Sequence, residues 1–130
     1  MKLSKHKNSK DKGLAGIGSA IKYFTSNGIT VSIPLNDNQG YDLIVELEKK
    51  LLKVQVKTTT SKQSNGNYKA SLRTTGGNQS FNYAKKFEKN SCDYLFILTE
   101  DDEEYFIPVE KLNNINSITL YEKYEEFRVG

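Results

Sequence analysis

Leu52, Val54 and Val56 alternate with Lys53, Gln55 and Lys57. A period of two sends these sets to opposite faces of a strand. The run lies in residues 41–58, which read as two strands joined by a turn at Lys49 and Lys50. Upstream, Leu14, Ile17, Ile21 and Phe24, with Ala20 filling in, have helical spacing and predict a helix over residues 13–27. Gly16 and Gly18 weaken that helix by about 1 kcal/mol each, which points to a close approach by another backbone or a ligand. Gly28 suits the position just past its end. Residues 29–33 alternate and predict a strand, and residues 34–40, dense in turn formers, a loop.

Beyond the hairpin, residues 58–67 are polar and read as a loop, residues 68–74 as a strand and residues 75–80 as a flexible segment. Phe81, Ala84 and Phe87 have helical spacing, so a short helix is expected over 81–89. Tyr94–Leu98 is an apolar run fit for a buried strand, followed by an acidic turn at 100–104 and a partner strand at 105–109. Pro108 puts that partner at a sheet edge or ends it there. One helical turn at 109–112 and a last strand at 117–121 complete the chain. This order predicts an α/β fold, a mixed sheet with a helix packed on it. Leu43, Val45, Val54, Val56, Leu95 and Ile97 should form its core. Residues 1–12, MKLSKHKNSKDK, show no core pattern and read as a flexible basic arm ahead of a single domain at 13–130.

A chain of 130 residues with 36% hydrophobic and 27% charged positions fits one folded domain with a modest core. No apolar run is long enough to cross a membrane, and no apolar segment follows the N-terminal lysines as in a secretory signal. The single cysteine, Cys92, excludes an internal disulfide and fits a reducing, cytoplasmic setting. With one His and one Cys, a zinc site within the chain is not expected. Charge is uneven: residues 1–99 carry 16 Lys and Arg against 7 Asp and Glu, and residues 100–130 carry 3 against 9. The basic part holds the hairpin, which favours a phosphate-bearing partner; a solvated surface with an acidic tail fits the same numbers.

Three side chains on the hairpin carry candidate chemistry. Asp42 opens the first strand, and Gln55 and Lys57 share a face of the second, about 7 Å apart along it. An acid, an amide oxygen and the Val56 carbonyl form an oxygen set suited to magnesium, which binds through few protein groups. Lys57 is placed to orient a water or meet charge on a phosphate. The duller account is a turn-capping Asp beside the polar face of a half-exposed strand. For nucleic-acid contact the candidates are Lys5, Lys7, Lys10 and Lys12 in the arm, and Lys62, Lys69, Arg73 and Lys85 beyond the hairpin.

At these residues the chain resembles the PD-(D/E)xK nuclease superfamily, in particular its small branch associated with group I introns in bacteria. The likeness runs from about residue 13 to 112, through GLAGIGSAIKYFTSNGITVSIPLNDNQGYDLIVE, KVQVKTT, CDYLFIL and YFIPVEKL. It implies a restriction-endonuclease-like mixed β-sheet core flanked by helices. It also implies a metal-dependent DNA endonuclease, intron-encoded and site-specific, using Mg2+ or Mn2+. Asp42 matches the family's acid, Gln55 its variable metal ligand in a QxK form of the motif, and Lys57 its lysine. Tyr41 stands where Pro is common, and Ile17 where many members place a helix glutamate. Double-stranded DNA is the implied partner. Cutting both strands needs two sites, hence a homo-oligomer, dimer or tetramer. The alternatives are a catalytically inactive nuclease fold that binds DNA or protein, and a Holliday junction resolvase-like nuclease.

Overall fold

A computed structural model of the chain describes residues 2–36, 39–78, 81–85 and 87–130, with residues 74–78 and 81–85 described by their backbone. Strands β1 (Val31–Ser32), β2 (Leu43–Leu47), β3 (Lys50–Thr59), β7 (Tyr94–Thr99) and β8 (Glu104–Pro108) form one five-stranded sheet in the order β1-β2-β3-β7-β8. Strand β3 runs parallel to β7, and the other neighbours are antiparallel. The sheet is therefore mixed, as expected. Pro108 ends the edge strand β8, where a missing N–H costs no ladder bond. The last residues follow that edge, with the Val129 N–H on the Glu104 carbonyl at 2.8 Å and the Glu104 N–H on the Gly130 carbonyl at 2.9 Å.

Both faces of the sheet are covered. On one, helix α1 (Ser9–Ser26) packs Ala20 and Phe24 against Leu43, Val45, Val54, Val56 and Phe96. Gly16 lets it come close: a Cβ there would sit 2.6 Å from Thr58 Cγ2 and 3.1 Å from Val56 Cγ1. Gly18 meets nothing within 4 Å, so of Gly16 and Gly18 only Gly16 marks a close approach. On the other face, β4 (Tyr68–Ser71) and β9 (Ser117–Leu120) pair antiparallel and lay Tyr68, Ala70, Leu72, Ile118 and Leu120 over Leu95, Ile97 and Ile107. All six expected core residues are buried. Parallel register puts Gln55 beside Leu95 and Lys57 beside Ile97, so the polar side of β3 faces this second apolar layer rather than open solvent.

Three expectations need correction. First, the described part of the expected arm at 1–12, residues 2–12, is not free of the fold: Leu3 is 2% exposed. Helix α1 begins at Ser9 with the Asn8 side chain accepting the Asp11 N–H, and the Ser4 N–H and hydroxyl both donate to Glu100. The capping asparagine supplies the start that the apolar spacing could not reveal. Second, the hairpin turns at Glu48 and Lys49, one residue early, and both take positive φ (51° and 66°). That is the two-residue turn whose twist suits a hairpin, made without the usual Asn-Gly. Third, residues 81–85 are strand rather than helix: β6 (Phe81–Lys85) pairs antiparallel with β5 (Thr74–Asn78), which runs from the end of the expected strand at 68–74 into the segment expected to be flexible. Three apolar residues over seven positions are too short a run to separate helix from strand. Among the described residues no helix is long and apolar enough to cross a membrane.

Candidate functional site

The ladder between β2 and β3 ends in a local irregularity. Leu43 pairs with Val54, yet the Asp42 N–H also reaches the Val54 carbonyl, at 2.8 Å. Two residues thus share one partner, as in a β-bulge. The next donor on β3, the Val56 N–H, is taken by the Asp42 carboxylate Oδ2 at 2.8 Å in place of a backbone carbonyl. A strand residue sends its N–H and C=O to the same side, so the Val56 carbonyl also faces the gap beyond the end of β2. The approach to Asp42 is tight: a Cβ at Gly40 would lie 2.7 Å from Ser91 Cβ. The chain from Gly40 into Asp42 is thereby held against the turn at Lys89–Ser91.

Electrostatics follow from this half-buried position. Burial pushes the Asp42 carboxyl above its ordinary value, while the Val56 N–H and the Lys57 ammonium pull it back. Burial likewise holds the Lys57 ammonium below its ordinary value, opposed by the Asp42 charge. The two feel each other but form no direct ion pair. The Lys57 ammonium donates to the Arg73 carbonyl at 3.5 Å. Gln55 is 8% exposed on the same face of β3. Beside it lies Cys92, a buried thiol pushed up to about 11, chiefly by burial. Such a thiol is not reactive.

Asp42 is thus brought to Val56 and Lys57, with Gln55 on the Lys57 face of β3. The donor set of one carboxylate, one amide oxygen and one backbone carbonyl fits a hard cation that keeps much of its water. Among the described residues no group of three or more His, Cys, Asp or Glu is placed to hold a metal. Ile17 packs against the helix-side core and supplies no oxygen.

The nucleic-acid candidates are scattered. Lys5, Lys7 and Lys10 are exposed at the N-terminus and Lys12 is half-buried on α1. Lys62 contacts Asp101 at 3.4 Å and lies over the Tyr68 ring. Lys2 meets the same Asp101 at 3.4 Å, so two lysines of the basic part face the acidic turn at 100–104. Lys69 is exposed on β4, and Arg73 is exposed just after it, beside Lys57. The side chain of Lys85 lies outside the described residues. Sequence reasoning missed Cys92 and the Arg73 carbonyl as neighbours of the site, and local pattern carries no signal for either.

Comparison with known proteins gives a consistent picture. The sequence model of a family described as PD-(D/E)XK endonuclease matches residues 7–128. Among solved structures, that of a bacterial homing endonuclease, I-Ssp6803I, is similar with a TM-score of 0.77 and 28% identity. The match covers 93% of this chain and 88% of that one. No curated protein matches the sequence significantly.

Proposed function

The chain belongs to the PD-(D/E)XK endonuclease family, and from that premise we propose that it is a divalent-metal-dependent endonuclease of double-stranded DNA, with magnesium or manganese as its ion. The observation that carries the reading is the Asp42 carboxylate just before β2, fixed by the Val56 N–H and close enough to Lys57 for the two charges to act on each other. Asp42, the Gln55 amide oxygen and the Val56 carbonyl would hold the ion. When bound, a divalent ion polarises the phosphate and lowers the pKa of a water. The β3 strand sets the spacing of the oxygens, and the second apolar layer limits water around them. Lys57, whose ammonium is weakened by burial, sits where it can donate to a phosphate oxygen or orient the attacking water.

The likeness to a homing endonuclease supports a site-specific, intron-encoded role, and cutting both strands calls for at least two copies of the site. A catalytically inactive, DNA-binding version of the fold is the second reading, favoured by the absence, among the described residues, of three or more His, Cys, Asp or Glu side chains placed to hold a metal. Supercoiled plasmid incubated with magnesium, with manganese and with a chelator separates the two. The nuclease reading expects nicked or linear product in the metal lanes only. Retardation of DNA in a gel without any cutting, on plasmid or on the native locus, would favour the inactive fold. Preferential cutting of four-way junctions over linear duplex would instead favour a resolvase.

A further inference from the structure

We propose that Asn116 is a positioning residue for Lys57, acting through the backbone carbonyl of Arg73. The proposal rests on the role of Lys57 given above. A lysine on a four-carbon stem has many rotamers, and a hydrogen bond selects one only if its acceptor is itself fixed. The acceptor here is the Arg73 carbonyl, 3.5 Å from the Lys57 ammonium, in the two-residue connection between β4 and β5.

Asn116 grips that connection at two points. Its backbone carbonyl accepts the Leu72 N–H at 2.9 Å, and its side-chain oxygen accepts from the Arg73 guanidinium at 3.4 Å. Asn116 is in turn held by its own N–H on Asn114 Oδ1 at 2.7 Å, and the Arg73 N–H donates to Ser71 Oγ at 3.3 Å. Leu72 is fully buried in the second core. The connection is therefore anchored through its interior side chain whatever residue 116 carries. Asn116→Ala keeps the Leu72 bond and that anchor, and removes only the hold on the Arg73 side chain. The result is a looser carbonyl rather than a lost fold. An aspartate at 116 keeps an acceptor for the guanidinium and strengthens the bond by charge.

The experiment uses the full chain as wild type, Asn116→Ala and Asn116→Asp, with two readouts. One is the rate of Lys57 acetylation by dilute acetic anhydride, followed by mass spectrometry with the other lysines as internal controls. The other is the single-turnover rate of plasmid cutting in magnesium, beside duplex affinity measured in a chelator. Asn116→Ala should acetylate at Lys57 about threefold faster or more, cut about tenfold slower or worse, and bind duplex as wild type does; Asn116→Asp should restore both rates. Unchanged Lys57 labelling in Asn116→Ala overturns the proposal, as does unchanged cutting despite faster labelling. If the wild type does not cut while Lys57 labelling responds as stated, the hold on Lys57 stands and the nuclease reading falls.

Discussion

The carboxylate of Asp42 accepts the Val56 N–H at 2.8 Å and so takes the place of a backbone carbonyl in the β2–β3 ladder. One side chain thereby does two things: it closes the ladder where β2 begins, and its second oxygen has no hydrogen-bond partner among the described residues. An asparagine can keep the first role through its amide oxygen but brings no charge to the second. Stability and activity should therefore part company at this residue.

The first consequence is a pH signature in stability. Burial raises the Asp42 pKa above 3.8 in the folded state. A raised carboxyl favours the fold fully below its unfolded value, and that contribution is lost as pH climbs through the folded value. Asn at this position does not titrate. Asp42→Asn should gain stability relative to wild type as pH rises from below 3.8 toward 7, read by denaturant melts at several pH values. A difference that does not change with pH would contradict the buried-carboxylate account.

A second prediction contrasts two glycines on α1. Gly16→Ala drives a methyl to 2.6 Å from Thr58 Cγ2, and overpacking of this kind costs about 1–3 kcal/mol. Gly18→Ala meets open space and should stabilise by about 0.5–1 kcal/mol through helix propensity. Thermal melts of the two variants should move in opposite directions. Equal shifts would mean that α1 does not seat on β3 as described.

Leu3 tests the N-terminal segment. If it is buried as the structure has it, Leu3→Ala should cost about 2–5 kcal/mol. An arm free of the fold would leave the melting midpoint unmoved.

What the sequence revealed, and what it hid, follow from the range of the interactions. The alternation from Leu52 to Lys57 correctly placed Val54 and Val56 in the core, because strand periodicity is local. It could not say that Gln55 and Lys57 lie under a second layer. That depends on Ala70, Ile118 and Leu120 arriving from β4 and β9, outside the alternating run. The parallel pairing of β3 with β7, which sets Gln55 beside Leu95, is likewise non-local. Asp42 was visible because a turn-rich loop delivers it directly into a strand. The Asn116–Arg73–Lys57 relation was invisible, since its members are tied only by loop hydrogen bonds.

Salt dependence should report the exposed lysines. If the N-terminal segment touches phosphates, each lost contact lowers the slope of log affinity against log salt by about 0.9. Lys7→Gln combined with Lys10→Gln alters two exposed side chains without disturbing Leu3 or the Asn8 cap. A slope shallower by up to about 2 is expected in duplex-binding titrations. An unchanged slope would place the DNA elsewhere, with Lys69 and Arg73 the next substitutions.

The central claim is that Asp42 holds the ion on which cutting depends, and plasmid cleavage by Asp42→Asn tests it most directly. In magnesium the variant should lose cleavage, by a factor on the order of a hundred or more, because the remaining oxygens are neutral. In a chelator its affinity for duplex should equal or exceed that of wild type, since a carboxylate near a phosphate is repulsive. Lys57→Ala, run alongside, should also fail to cut while still binding manganese in a direct titration. Cutting at the wild-type rate by Asp42→Asn, in a preparation whose wild type cuts, would contradict the account.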